Sequence, residues 1–417
     1  MTLRLPKLHE GQRDVWNDDA RFIVLDAGRR WGKSRLGALI CTTEAAQGRR
    51  VWWVWPNYPN GAVGWRMVKR LAGRIPGAEV REVERTITFP NGGYLQIKSA
   101  DKPDALRGEG LDWLIVDEAA HIRKFDEAWE QSLRPALSDR QGRAMFISTP
   151  KGFNHFYDLY RAAQDNDDWA AYQFPTLTNP FINPAEIESA RGDIPELVFR
   201  QEYLAEFVQL AGALFKREYF QYSDDLPFVN GWARFWDLAA STKAHASYTV
   251  GAKVGVTSSG GIFVANVVRG RWEWPDALRI IAETARSDGT GVTQGVEDVG
   301  TQKGMFQLLM NEPSLVGLPI RPVTVQTDKM TRAMPWLARA EQGKVTLMRA
   351  PWNAAFLDEV CGFPETEHDD QVDAVSGAVQ MLAGSSAPLV SAAERAQLVA
   401  PSRWTEQTKP RWKRTKR

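Results

Sequence analysis

Residues 22–34 read Phe22-Ile-Val-Leu-Asp-Ala-Gly-Arg-Arg-Trp-Gly-Lys-Ser34: an apolar run, a glycine-bearing loop and the first turn of a helix. The phosphate-loop pattern G-x-x-x-x-G-K-S/T is nearly met. Ala27 stands where the first glycine is expected, while Gly32, Lys33 and Ser34 match. Loop N–H groups, that of Gly28 among them, and a helix N-terminus can cradle phosphates. Lys33 would neutralise the β- and γ-phosphates of ATP, Ser34 would hold Mg2+, and Arg29 would face phosphate from inside the loop. On its own, the segment is also what a chance Gly-Lys-Ser at a helix start looks like.

The surrounding segments decide between the two. Trp113-Leu-Ile-Val-Asp117-Glu118 is an apolar strand ending in two carboxylates. Asp117 is placed to reach Mg2+ through water, and Glu118 to orient an attacking water. Phe146-Ile-Ser148-Thr149-Pro150 is a strand ending in small hydroxyls. Singly, these could be an acidic cap and an ordinary strand exit; in order and spacing they fit one nucleotide-binding sheet. Between them lie a helix at Lys33–Gln47, a strand at Arg50–Trp55, a helix at Asn60–Arg74 and a hairpin around Pro90-Asn91-Gly92-Gly93. Strands alternating with helices imply a parallel α/β sheet. Gln12, ahead of the first strand, could read an adenine edge. Arg107, in Leu106-Arg-Gly-Glu-Gly, could reach a neighbouring subunit's nucleotide as an arginine finger. Surface solvation is the competing reading for both.

Pro184–Phe207 is rich in helix formers, and Ala211-Gly212-Ala213 marks a boundary. The expected organisation is therefore 1–210, with a helical lid or linker at about 184–211, then 212–384, then a tail at 385–417. The second part shows a strand at Trp232–Leu238, a hairpin through Ser258-Ser259-Gly260-Gly261, a helix at Ala277–Ala285, strands at Val292–Val296 and Arg321–Val325, and a helix at Asp369–Leu382. Acids punctuate it. Asp237 ends one strand and Glu297-Asp298 another, while His368-Asp369-Asp370-Gln-Val-Asp373 opens the last helix. Asp369 and Asp373 share a helix face. Aspartates favour helix starts in any case. Three acidic points in an α/β frame are also what two-metal phosphodiester cleavage requires, with two Mg2+ or Mn2+ ions ~4 Å apart.

Composition excludes other classes. Of 417 residues, 43% are hydrophobic and 25% charged, which is globular rather than disordered or fibrous. Apolar stretches fall far short of the ~20 residues that span a bilayer. The start, Met1-Thr-Leu-Arg-Leu-Pro-Lys, has no apolar leader. Cys41 and Cys361 make neither a disulfide framework nor a zinc site, so a reducing cytoplasm is expected. Net charge is +1, yet residues 401–417 carry seven Lys/Arg and one Glu, interleaved with Trp404 and Trp412. That tail could contact DNA phosphates, dock on a partner or simply be solvated.

Together the segments resemble one family, the large subunit of tailed-bacteriophage terminase. The resemblance covers roughly residues 8–383 and rests on Gly-Arg-Arg-Trp-Gly-Lys-Ser (28–34), Leu-Arg-Gly (106–108), Leu-Ile-Val-Asp-Glu-Ala (114–119), Ile-Ser-Thr-Pro-Lys-Gly (147–152), Trp-Asp-Leu-Ala (236–239) and His-Asp-Asp-Gln-Val-Asp-Ala (368–374). It implies an ASCE-type P-loop ATPase followed by an RNase H-like nuclease. The implied activities are ATP-driven pumping of double-stranded DNA into a procapsid and cutting of concatemers. The implied ligands are ATP with Mg2+, and two Mg2+ or Mn2+ at the nuclease. The implied partners are DNA, a small terminase subunit and the portal protein, with a homo-oligomeric ring when docked and no membrane. The implied place is the host bacterial cytoplasm, without retention in the mature virion. By the same resemblance Lys33 and Ser34 bind phosphate and Mg2+, Arg29 is the loop arginine and Arg107 the trans-acting finger. Asp117 and Glu118 form Walker B, with Glu118 catalytic, and Ser148 and Thr149 belong to the coupling motif. Asp237, Glu297 and Asp369 match the metal-binding acids; whether Asp370 or Asp373 also ligates stays open. The family usually has a longer N-terminal arm, which leaves the adenine contacts of Gln12 open. The competing functions are a helicase or remodelling ATPase with an inactive RNase H-like domain, and a transposase-like nuclease with an accessory ATP site.

Overall fold

The computed structural model describes residues 6–209, 212, 214–239, 248–297, 308–309, 312–325 and 327–385. The chain divides into two interleaved compact units. Unit 1 takes residues up to 226 together with 260–262 and 327–373; unit 2 takes 227–259, 263–326 and the residues from 374 onward. The expected boundary at Ala211-Gly212-Ala213 lies largely outside the described residues, as do Asp298 and the tail from 386.

Unit 1 is built on an eight-stranded sheet. Its strands are β1 (Phe22–Ala27), β2 (Arg50–Trp55), β3 (Glu79–Arg81), β4 (Thr86–Thr88), β5 (Tyr94–Ser99), β6 (Trp113–Asp117), β7 (Arg143–Ser148) and β8 (Trp169–Phe174), in the order β3-β4-β5-β2-β6-β7-β1-β8. From β5 to β8 every pairing is parallel, and β3-β4-β5 is an antiparallel meander at the edge. β1, β2 and β6 are covered on both faces, which is why they read as nearly continuous apolar runs, with Asp26 the buried exception in β1. Ile23 and Leu25 face α2 (Lys33–Ala46) and α3 (Tyr58–Ala72). Phe22 and Val24 face the other way, into a cluster with Phe125, Phe146 and Phe156. Helix α3 lies tight on β2: a Cβ on Gly64 would come 2.8 Å from Trp55 Cζ2. The N-terminal α1 (Glu10–Trp16) is capped reciprocally by His9 and Gln12. After β7 follow α4 (His155–Gln164), β8, α5 (Pro184–Asp193), α6 (Glu196–Leu204) and β9 (Phe220–Ser223). The topology puts the ends of β1, β6 and β7 side by side, where open parallel sheets bind ligands.

Unit 2 carries β10 (Val229–Asp237), β11 (Thr249–Thr257), β12 (Ile262–Gly270), β13 (Val292–Glu297) and β14 (Ile320–Val323), in the order β14-β13-β10-β11-β12. β10 runs antiparallel to β11 and parallel to β13, which is parallel to β14. Helix α7 (Trp274–Asp288) packs its Ile281 and Ala285 against Trp236 and Val296. Beneath that helix Arg234, 2% exposed, pairs with Asp288 at 2.6 Å.

The chain then returns to unit 1 with α8 (Lys329–Glu341), β15 (Val345–Met348, parallel to β9) and α9 (Asn353–Val360). The long helix α10 (Asp370–Ser385) begins in unit 1 and continues in unit 2 from Ala374.

Candidate functional site

The loop after β1 is braced from three sides. Gly28 has no room for a side chain, since a Cβ there would lie 2.3 Å from Thr176 Oγ1 and 2.6 Å from the Tyr203 carbonyl. Gly32 adopts φ +108°, a backbone conformation that favours glycine. Gln12 donates to the Gly32 carbonyl (3.1 Å), and His9 Nε2 bonds the Trp31 carbonyl (3.1 Å). Trp31 is buried and stacks on Phe174. Gln12 therefore acts here as a brace of the loop backbone. Ala27 serves as the last strand residue, and the first loop glycine sits one position later.

The chemistry converges at the ends of β1, β6 and β7. The Lys33 ammonium is buried and donates to the Ala27 carbonyl (2.6 Å), the Gly28 carbonyl (3.1 Å) and Thr149 Oγ1 (2.8 Å). Burial lowers its pKa, while Glu118, Asp117 and Asp26 act in the opposite direction. Asp117 is fully buried. Burial first, then the charge of Glu118, push its carboxyl up to about 8, against the pull of Lys33 and Ser34. Its Oδ1 accepts from the Glu118 N–H (2.9 Å), while Oδ2 has no hydrogen-bond partner among the described residues. Glu118 itself sits at φ 50°, ψ 43°. Left-handed backbone at a non-glycine residue is the kind of strain held at functional sites. A cavity of about 610 Å3 opens here, with Arg29, Lys33, Ser34, Glu118 and Thr149 in its wall. Ser148 donates to the Thr149 carbonyl (2.8 Å) and accepts from the Ala120 N–H (3.2 Å), tying β7 to the turn after β6.

Three further residues belong to this site. Glu202 of α6 pairs with the Arg29 guanidinium, and its carbonyl accepts from the Arg29 N–H (2.6 Å). Nothing local in sequence marks it, because the contact is long-range. His121 Nδ1 lies 3.6 Å from Glu118 Oε2, and burial lowers its pKa. Asp26 is fully buried in β1; its Oδ2 accepts from Gln173 Nε2 (3.1 Å), and burial holds its carboxyl well above the usual range. A charge inside the run Phe22–Ala27 is a signal that sequence alone carries. Arg107 stands on the surface, half exposed, bonded to Gln131 and Asp104 (3.1 Å each).

In unit 2, Trp236 of β10 lies beside Val296 of the parallel β13, so Asp237 and Glu297 end neighbouring strands. In unit 1, the start of α10 meets the start of α8. Asp369 accepts from Lys329 Nζ (2.6 Å); Asp373 accepts from Arg332 Nη2 (2.7 Å) and Lys329 (3.1 Å). Burial raises the Asp373 pKa, and Arg332 and Lys329 counter it. Asp373 thus already has its charge met by two cations, and Asp370 is buried beside it. Among the described residues no three His, Cys, Asp or Glu side chains are grouped as a metal-ion site, and no helix is long and apolar enough to cross a membrane.

Residues 24–222 match the family model described as "Terminase large subunit, T4likevirus-type, N-terminal", and residues 234–382 match "Terminase RNaseH-like domain". The chain belongs to the terminase large-subunit family. The large terminase subunit of Escherichia phage T5 is 30% identical over 221 residues, covering 52% of this chain and 50% of the relative. That of Thermus virus P23-45 is 31% identical over 251 residues, with 50% of each covered. This terminase chain thus spans about half the length of the curated relatives it matches. The solved structure of a large terminase from a thermophilic bacteriophage shares its fold, with a TM-score of 0.65 at 13% identity over 90% of this chain and 100% of that one. The expected fold, a parallel-sheet P-loop ATPase domain followed by an RNase H-like domain, holds.

Proposed function

We propose that this terminase chain hydrolyses ATP to drive double-stranded DNA into a procapsid, and that its RNase H-like half cuts concatemeric DNA with Mg2+ or Mn2+. The observation that carries the first part is the cavity walled by Lys33, Ser34 and Glu118, with Asp117 buried directly behind it and accepting from the Glu118 N–H. Lys33 would exchange its carbonyl and Thr149 acceptors for β- and γ-phosphate oxygens. Glu118, at the cavity wall, would orient the attacking water and take up its proton. The unpartnered Oδ2 of Asp117 and the Ser34 hydroxyl suit Mg2+; once bound, the ion would neutralise charge on the transferring phosphoryl group. Arg107, on the surface, suits a finger supplied to a neighbouring subunit.

For the nuclease, Asp237, Glu297 and Asp369 are hard oxygen donors, the type that Mg2+ and Mn2+ prefer. The proposed partners are double-stranded DNA, a small terminase subunit, the portal protein and further copies of the chain in a ring. The host cytoplasm is the proposed place of action. The test is in vitro packaging with matched procapsids, scored together with plasmid cleavage by the full chain. ATPase activity stimulated by procapsids rather than by DNA alone supports the motor. DNA-stimulated ATPase without packaging or metal-dependent cleavage supports the helicase reading instead. The full chain is the right material, because residues 327–373 belong to unit 1 and a fragment starting at 212 would divide that unit.

A further inference from the structure

The first turn of α8 carries Lys329 and Arg332 and no acidic side chain inside the helix. Cations there are opposed by the positive end of the helix dipole. The cap residue Asp328 is engaged by Thr331, accepting from its N–H (2.9 Å) and its hydroxyl (2.7 Å). The two cations are compensated by the start of α10. Lys329 Nζ bridges Asp369 Oδ1 (2.6 Å) and Asp373 Oδ2 (3.1 Å), and Arg332 holds the other oxygen of Asp373 (2.7 Å). The two pairs differ in burial. The Arg332 and Asp373 side chains are 8% and 6% exposed, whereas those of Lys329 and Asp369 are 50% and 28% exposed. The inner pair is locked, because freeing Asp373 would leave a buried guanidinium uncompensated. The outer pair borders solvent, where the Asp369 contact by itself is weakly held, and the second contact of Lys329 reaches the buried Asp373.

We infer that Lys329 is a resident cation on Asp369 that a divalent metal must displace, so that it sets how much metal the protein needs to load this carboxylate. The inference rests on the reading of Asp369 as a metal ligand. An ammonium at 2.6 Å from Oδ1 stands where a metal at ~2.0–2.6 Å from that oxygen would stand, so the two compete for Oδ1. Lysine suits the role: it is a compact charge on a flexible stem that can swing into solvent. Asp373, fixed by Arg332, is then a positioning residue. It gives the Lys329 ammonium its second anchor and keeps it beside Asp369 while no metal is present.

The experiment is Mn2+ binding to the nucleotide-free full chain, read as loss of the free-Mn2+ paramagnetic resonance signal. Wild type is compared with Lys329→Met, Lys329→Gln, Lys329→Arg, Asp369→Asn and the Lys329→Met/Asp369→Asn double variant. Asp369→Asn should remove one component of binding in either background. Lys329→Met and Lys329→Gln should lower the Mn2+ concentration that half-fills that component about tenfold, as expected for one unit charge removed ~6 Å from a divalent ion in water-like surroundings. Lys329→Arg, which keeps the charge, should not. Unchanged or weaker Mn2+ binding in both neutral variants, with the Asp369-dependent component still present, overturns the placeholder and leaves the metal reading standing. Binding that Asp369→Asn does not alter overturns the metal reading, and the placeholder with it.

Discussion

Lys33 and Thr149 are joined by a 2.8 Å hydrogen bond across the ends of neighbouring strands β1 and β7. Together with two carbonyls, the threonine hydroxyl satisfies an ammonium that would otherwise be buried without acceptors. A buried charge kept on such replaceable partners is ready for an anion. Lys33→Ala should therefore lose nucleotide binding as well as turnover, the latter by ~10²-fold or more, the scale of a few kcal/mol of lost phosphate stabilisation. Nucleotide affinity by calorimetry and phosphate release check both. Wild-type affinity in the variant would remove Lys33 from the phosphate site.

Glu118 is expected to separate binding from chemistry. It acts on water and not on nucleotide, so Glu118→Ala should bind ATP nearly as tightly as the parent and turn it over at least ~10²-fold more slowly. Its left-handed backbone also predicts that Glu118→Gly is tolerated by the fold, since glycine adopts φ near 50° without strain. Hydrolysis at the parental rate in Glu118→Ala would refute the Walker B assignment.

Much of this site is legible in sequence because β1 and β6 are buried on both faces and end in polar residues; a continuous apolar run followed by Gly-Lys-Ser or Asp-Glu has few other meanings. Other parts are hidden for identifiable reasons. β8 reads Trp-Ala-Ala-Tyr-Gln-Phe and is half-buried along nearly its whole length, so no period of two emerges. Helix α8 contains Pro335, which in sequence reads as a helix stop. With α8 unseen, its cations could not be matched to Asp369 and Asp373. Glu202 meets Arg29 across 173 positions of chain, and no local pattern encodes that.

Asp117 couples stability to pH. Its folded-state pKa of about 8 lies above the ordinary carboxylate value, so the folded chain holds this proton more tightly than the unfolded chain does. The associated stability is complete below about pH 4 and is lost as pH rises through about 8. Asp117→Asn cannot lose that proton. Without nucleotide or metal, the variant should melt above the parent at pH 8.5 by roughly 4 °C, the shift that ~2 kcal/mol gives in a domain of about 200 residues. The difference should close toward pH 5. A gap independent of pH would mean that Asp117 is ionised throughout.

The two cations of α8 should differ in stability as they differ in burial. Arg332→Ala leaves Asp373 buried with only Lys329 and should cost about 2–4 kcal/mol, near the range for breaking a buried pair. Lys329→Ala removes the solvent-bordering pair with Asp369 and one of the two cations on Asp373, which Arg332 still neutralises, and should cost less, about 1 kcal/mol. Urea midpoints of the two variants, measured without metal, decide it. Equal losses would mean that Lys329 is as structural as Arg332.

Arg107 should matter only between subunits. It is half exposed, and its bonds to Gln131 and Asp104 are surface contacts worth little to the fold. In a dilute monomer Arg107→Ala should leave basal ATPase within about twofold, while in an assembled motor on procapsids it should cut turnover by ~10³-fold, the scale of a finger supplied in trans. An equal loss in both states would place Arg107 in its own subunit's site.

Asp237 and Glu297 end adjacent parallel strands of unit 2, which puts two acidic residues at neighbouring positions at one end of its sheet. Both are hard oxygen donors, and a divalent cation that they bind only in the folded state stabilises that state by mass action. Mn2+ should therefore raise the melting temperature of the nucleotide-free chain. Asp237→Asn preserves shape and removes one charge. It should abolish the Asp237-dependent part of that rise, lower plasmid cleavage by ~10³-fold or more, and leave ATP hydrolysis intact, because metal-assisted displacement draws several kcal/mol from the bound ions. The competing possibility is that these acids are only solvated strand ends. In that case Asp237→Asn would cleave DNA at the parental rate and Mn2+ would shift the melting of both proteins equally.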